Sequence, residues 1–173
     1  IEIRASIGTA CAPRHASSAE QLFKAADAAL YAAKDAGRDT VRVFNEQMDA
    51  LARQRSSIMT ELGHALERGE LELNYQPQIN VRTRAIVGFE ALLRWRHGQR
   101  GLIAPDEFIP IAEETGMIVP IGEWVLQQAC LEAMRWPETC LVAVNLSAVQ
   151  FSSRSLIASV KSALTQDRLP AKR

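Results

Sequence analysis

The chain has 173 residues, 47% of them hydrophobic and 23% charged, which describes a folded globular protein of single-domain length and excludes a disordered tail. Lys+Arg and Asp+Glu both number 20, so the formal net charge is zero. Binders of nucleic-acid polymers normally carry a clear basic excess, so that class is excluded as the general function.

Residues 1 to 10 alternate like a strand, and a loop with Pro13 and His15 follows. Ser18, with Gln21 three residues on, spells a capping box for a helix from Ala19. Its expected apolar stripe is Leu22, Phe23, Ala26, Ala29, Leu30 and Ala33. Gly37 is the expected stop, and residues 41–44 read as a short strand. Residues 45–68 hold no Pro and a single Gly, Gly63, and predict a connecting helix at a domain boundary. The expected division is thus 1–44, 45–68 and 69–173.

After Gly69 the grammar changes. "ELELNYQPQI" and "AIVGFEALLRW" predict two strands joined by a turn at Arg82-Thr83-Arg84. "IAPDEFIPIAEETG" predicts a helix broken at Pro110. "VPIGEWVLQQACLEAMRW" predicts a firm helix between Pro120 and Pro137. "CLVAVNLSAVQF" reads as one strand and "SSRSLIASVKSALTQ" as an amphipathic helix. Strand and helix in alternation are the pattern of a parallel α/β sheet or barrel. From Glu70 onward roughly 100 residues remain, whereas a closed eight-stranded β/α barrel takes about 250. With no initiator Met and an opening Ile1-Glu2-Ile3-Arg4 already in alternation, both ends are expected to lie inside a larger protein.

Cys11, Cys130 and Cys140 form no C-x-x-C pair, which argues against a disulfide framework or a thiolate zinc site. A reducing cytoplasm is the expected compartment. No apolar run approaches the roughly 18 residues of a membrane span, so no membrane segment is expected.

The residues able to carry chemistry cluster in "GFEALLRWRH". Alternation places Gly88, Glu90, Leu92 and Arg94 on one strand face and Phe89, Ala91, Leu93 and Trp95 on the other. A carboxylate inside a strand needs a partner or a cation. From the residues alone an ion pair with Arg84, Arg94 or Arg96 leads. Arg94, Arg96, His97 and Arg100 read as a phosphate clamp or a solvated loop. Asn145 shares its face with Ala143 and Ser147, both small. A ligand site at a barrel mouth and an Asn bonding its own backbone are both open. Gln76 closes the first strand of the pair. Lys34 and Arg38 bracket a helix C-terminus, either as favourably placed cations or as phosphate contacts.

"YQPQI", "GFEALLRWRH", "GLIAPDEFIPIAEETG", "IGEWVLQQAC" and "VAVNLSAVQF" resemble, in order and spacing, the EAL domains, the cyclic di-GMP phosphodiesterases. "ASIGTA" and "AADAALYAAKDAGRDTVRVF" resemble the C-terminal end of a GGDEF (diguanylate cyclase) domain. The resemblance implies an α/β chain: an incomplete EAL-type β/α (TIM-like) barrel preceded by the C-terminal strand-helix-strand portion of a GGDEF domain. It implies that Glu90 and Asn145 bind the catalytic divalent metal, Mg²⁺ or Mn²⁺. It assigns Gln76, Leu92 and Arg94 to contacts with the cyclic dinucleotide, Arg94 through phosphate. Lys34 and Arg38 resemble the pair that reaches GTP phosphates, although Asp39 stands where that family usually has Asn. The implied reaction is hydrolysis of cyclic di-GMP to linear pGpG. The partner implied is that dinucleotide, and a homodimer through the EAL domain follows by the same analogy. The family's later acidic motifs and the GG[DE]EF signature are absent from these residues, so the 173-residue fragment alone is expected to be inactive. The alternative is a receptor that binds cyclic di-GMP without hydrolysing it; a third reading has the parent mainly synthesising the dinucleotide.

Overall fold

The computed structural model describes residues 4–166 and 168–173. The chain divides into two compact units, Ile1–Ile58 and Met59–Arg173, and the helix α2 (Glu46–Ala65) runs through the division.

The first unit contains β1 (Ile7–Thr9), α1 (Ala19–Asp35) and β2 (Val41–Val43). The expected strand-helix-strand order is present, and the two strands pair in parallel from Ile7↔Val41 to Thr9↔Val43. Ile1–Ile3 of the expected opening strand lie outside the described residues. Gly8 sets the distance between strand and helix. A Cβ there would fall 2.0 Å from the Leu30 backbone nitrogen and 2.3 Å from the Ala26 carbonyl oxygen. So close an approach admits only small side chains, and α1 buries Ala25, Ala28, Ala29 and Ala33. The buried face is therefore rotated from the expected stripe, and Phe23 is 79% exposed. Ser18 caps the helix through a hydrogen bond from the Gln21 backbone N–H at 3.2 Å. The Gln21 side chain meets Ser17 Oγ instead, at 3.3 Å, so the expected capping box is only half made. Arg55 of α2 stacks 4.2 Å over the Tyr31 ring.

The second unit is a mixed α/β layer. Its elements are β3 (Leu71–Ile79), β4 (Ile86–His97), β5 (Gly101–Ile103), α3 (Pro105–Thr115), α4 (Ile118–Ala133), β6 (Leu141–Val144), α5 (Ala148–Phe151) and α6 (Leu156–Gln166). β4 organises the sheet: β3 and β5 pair with it antiparallel, β6 parallel. Among the described residues the four strands do not close into a barrel.

Helices cover the β4 face of Phe89, Ala91, Leu93 and Trp95. Trp95 and Phe108 of α3 meet edge to face at 5.6 Å, and Trp136 packs between Tyr75 and Phe89 at 5.2 and 4.7 Å. Trp95, Phe108, Ile111 and Ile121 are fully buried, each stabilising the layer by about 1.5–3 kcal/mol. A second cluster, including Leu126, Cys130, Ala133, Ala163 and Leu169, joins α4 to α6 and to Val142 and Val144 of β6.

Three expectations need correction. Pro110 does not break its helix; α3 continues to Thr115. Proline removes one intrahelical bond, and the burial of Phe108, Ile111 and Ala112 on either side of it holds the segment in place. The expected strand over residues 140–151 ends at Val144, and Ser147 starts the short helix α5. The three-residue β5 was not expected, being too short for alternation to register. Cys11, Cys130 and Cys140 form no disulfide, and Cys130 and Cys140 are buried. No helix among the described residues is long and apolar enough to cross a membrane.

Candidate functional site

The β4 face turned away from the helices carries Gly88, Glu90, Leu92 and Arg94, as strand alternation requires. Register brings further residues to it. Gln76 of β3 lies directly opposite Glu90, and Ala143 of β6 lies opposite it on the other side. Asn145 follows two residues beyond Ala143, on the same face. Its amide Nδ2–H donates to Glu90 Oε1 at 2.7 Å, across a strand pair fifty-five positions apart in sequence. The small Ala143 side chain leaves that space clear.

This geometry decides the first open question. Among the described residues Glu90 makes its hydrogen bond to Asn145 and no ion pair with Arg84, Arg94 or Arg96. Asn145 likewise spends its amide on Glu90, not on its own backbone. The close β4–β6 contact rests on Gly88, where a Cβ would meet the Leu141 carbonyl oxygen at 2.6 Å.

The basic cluster at the end of β4 splits into different roles. Arg96 is held by Glu72 through Nη2–Oε1 at 2.8 Å and Nε–Oε2 at 3.2 Å. That hydrogen bond holds the Glu72 carboxyl below its usual range and raises the Arg96 guanidinium further. His97 is buried: its Nδ1 accepts from the backbone N–H of Gln99 and Arg100, while Nε2 lies 3.2 Å from Glu61 of α2. Arg100 Nε lies 3.1 Å from the same carboxylate. Arg94 belongs to the Glu90 face, where it is half-buried and bonds the Leu93 carbonyl at 2.8 Å. Sequence spacing presented four equivalent bases; a cross-strand acid, Glu72, engages Arg96, and a helix acid, Glu61, engages His97 and Arg100.

At the end of β4 and β6 lies a cavity of about 300 Å³ lined by Leu92, Arg94, Ile109, Ile121, Val125 and Asn145, among others. Its walls are mainly apolar, with Arg94, Asn145, Glu113, Ser147 and Gln150 as the polar residues. Leu92, Arg94 and Asn145 are thus brought to one cavity, while Gln76 and Glu90 stand beside one another on the neighbouring strand row.

Two residues escaped the sequence reading. Gln150 is only 4% exposed. It completes a capping box: its backbone N–H bonds Ser147 Oγ at 3.4 Å, and its Oε1 accepts from the Ser147 N–H at 3.1 Å. Gly122 of α4 lies under its carboxamide, so closely that a Cβ would fall 1.9 Å from Nε2. The signal was present as Ser-x-x-Gln, hidden by reading residues 140–151 as one strand.

In the first unit Lys34 is exposed in the last turn of α1. Arg38 lines a separate cavity of about 320 Å³ with Arg4, Ala5, Ser6, Gly37 and Asp39, which Lys34 does not line. Gly37, Arg38 and Asp39 all have positive φ, of 99°, 64° and 49°.

As for metal donors, no group of three or more His, Cys, Asp or Glu side chains gathers among the described residues. Glu90 and Asn145 are a paired carboxylate and amide only.

Comparison with known proteins accounts for this arrangement. Residues 59–173 match the EAL domain family, and residues 1–40 match the family described as diguanylate cyclase, GGDEF domain. The bifunctional diguanylate cyclase/cyclic di-GMP phosphodiesterase MucR of Pseudomonas aeruginosa is 44% identical over 173 residues, covering 98% of this chain and 25% of MucR. The cyclic di-GMP phosphodiesterase PdeR of Escherichia coli is 37% identical over 164 residues, covering 93% of this chain and 25% of PdeR. Among solved structures, the PaMucR phosphodiesterase in complex with c-di-GMP superposes with a TM-score of 0.63 at 46% identity. That match covers 65% of this chain and 47% of the other. The chain therefore spans about a quarter of the length of these curated relatives. The mixed sheet, its helix layer and the Glu90 strand are those of an EAL domain, and the chain belongs to the EAL domain family, with a GGDEF segment ahead of it.

Proposed function

We propose that residues 59–173 belong to a metal-dependent phosphodiesterase domain that hydrolyses cyclic di-GMP to linear pGpG. The observation that carries the reading is the Asn145–Glu90 contact at 2.7 Å, with Gln76 opposite Glu90 and Arg94 further along the same face. A carboxylate and an amide held 2.7 Å apart on one strand face can offer oxygens to a single cation.

The donor set suits a hard divalent cation. A carboxylate and an amide oxygen are ligands that Mg²⁺ and Mn²⁺ accept, and Mg²⁺ commonly keeps waters and substrate phosphates in its other positions. Glu90 and Asn145 would hold the ion, the remaining positions falling to water, substrate and acidic residues of other strands of the domain. When bound, such an ion activates water and neutralises charge on the phosphoryl oxygens. Arg94 presents a planar fork suited to two phosphate oxygens at once and fixes the phosphodiester in line. Gln76 supports the dinucleotide beside Glu90, and Leu92 meets it at the cavity wall. Water adds to one phosphorus, the P–O3′ bond breaks, and the freed 3′ oxygen takes up a proton. The product carries a 5′ phosphate at one end.

Lys34 and Arg38 are proposed as GTP-phosphate contacts of the GGDEF portion, and Arg38 is the better supported because it faces a cavity. A cytoplasmic location is proposed because the cysteines form no disulfide framework, and a homodimer through the EAL domain is proposed on family analogy. The test is product analysis with the full-length protein that contains these residues. Supplied with cyclic di-GMP and Mg²⁺ or Mn²⁺, it should release pGpG, and chelation should stop it. Tight binding of the dinucleotide with no pGpG under either metal would replace this reading with a receptor.

A further inference from the structure

Asn145 stands in a loop between a four-residue strand and a four-residue helix, so neither element alone fixes its direction. The side chain that ties this segment to the rigid layer is Gln150 of α5. It is one of two buried polar side chains among the described residues, the other being His97. Its carboxamide rests on Gly122, in the middle of the well-packed helix α4. Its Oε1 grips the Ser147 N–H at 3.1 Å, and its own N–H returns to Ser147 Oγ. Two residues back, Asn145 delivers its amide to Glu90. Contacts thus run from α4 through Gln150 to Ser147, and two residues of backbone join Ser147 to the Asn145–Glu90 pair.

We infer that Gln150, seated on Gly122, is the positioning residue for Asn145 and so sets the affinity of the site for its divalent cation. This rests on the metal-site reading above. A buried carboxamide that merely filled space beside Gly122 would do so as well with a methyl group in its place. What the amide adds is an acceptor aimed at the Ser147 backbone. Groups that orient metal ligands through hydrogen bonds are worth about 10–100-fold in metal affinity.

The experiment titrates Mn²⁺ alone, by its electron paramagnetic resonance signal, into the full-length protein and its variants, with thermal unfolding recorded alongside. Gln150→Met keeps the bulk and loses the acceptor, and should weaken Mn²⁺ binding about 10–100-fold. Gln150→Glu keeps an acceptor for the Ser147 N–H and should restore most of that loss, since Glu serves equally in this box. Unchanged Mn²⁺ affinity in a folded Gln150→Met variant overturns the inference. Should that variant not fold, Gly122→Ala decides, because the added methyl would fall 1.9 Å from Gln150 Nε2 and displace the carboxamide from its seat. A several-fold weaker affinity supports the inference, and parental affinity overturns it. Glu90→Ala separates the two levels: if it leaves Mn²⁺ binding intact, the metal-site reading itself is wrong. If it abolishes binding while the Gln150 and Gly122 variants bind normally, only the positioning role falls.

Discussion

Gly88 offers the most quantitative test of how β4 and β6 bring Glu90 and Asn145 together. In Gly88→Ala the added methyl would sit 2.6 Å from the Leu141 carbonyl oxygen and 3.1 Å from both the Leu141 carbonyl carbon and its Cβ. Two of those three atoms are backbone, so no rotamer change relieves the clash. Gly88↔Leu141 is also the first pair of a register that includes Glu90↔Ala143, and any displacement runs straight into the site. Overpacking of this kind costs about 1–3 kcal/mol. The lower chain entropy of alanine in the unfolded state returns roughly 0.4–1 kcal/mol. A net loss of about 1–2 kcal/mol should lower the Tm of a domain of 150–250 residues by about 2–8 °C. Thermal unfolding of the full-length protein, followed by near-ultraviolet circular dichroism of the buried Trp95, measures this, and Mn²⁺ affinity should fall in parallel. A Gly88→Ala variant with parental Tm and parental Mn²⁺ affinity would refute the close β4–β6 contact.

Two further outcomes follow from the same geometry. Burial raises the Tyr75 phenol from its ordinary value of about 10 to about 12, so the folded state keeps that proton longer than the unfolded state. The associated stability is complete below pH 10 and is lost as pH rises towards about 12; denaturant titrations of Tyr75→Phe should lack this part of the alkaline decline, and an identical decline in both proteins would contradict the burial. Arg94→Lys keeps the charge but loses the planar fork, and a hydrogen bond to a charged group is worth about 1.5–3 kcal/mol. Its kcat/KM for cyclic di-GMP should fall about 10- to 100-fold, and a change within twofold would remove the phosphate role.

The sequence made the site's strand legible because alternation is a local property. Glu90, Leu92 and Arg94 fall on one face by counting alone, and the structure places them so. What counting could not supply was the partner of each charge. The reservation of Arg96 by Glu72, and of His97 and Arg100 by Glu61, depends on cross-strand and helix-to-strand contacts invisible in one segment. The Asn145–Glu90 bond likewise depends on parallel register between strands far apart in the chain. The end of β6 was misread because "NLSAVQF" keeps an apolar alternation while its Ser-x-x-Gln spacing starts a helix. Pro110 was over-weighted for a similar reason: one lost hydrogen bond matters less than the burial of Phe108, Ile111 and Ala112. The alanine face of α1 followed from how closely Gly8 lets β1 approach, which no periodicity encodes.

The most direct test of the central claim is turnover of cyclic di-GMP by the full-length protein beside its Glu90→Ala variant, at saturating Mg²⁺. Loss of an organising electrostatic partner at the reacting phosphate should reduce kcat by about 10²–10³-fold, with the fold retained because Glu90 lies on the open face of β4 and outside the buried core. Unchanged turnover in a folded Glu90→Ala protein would contradict the account.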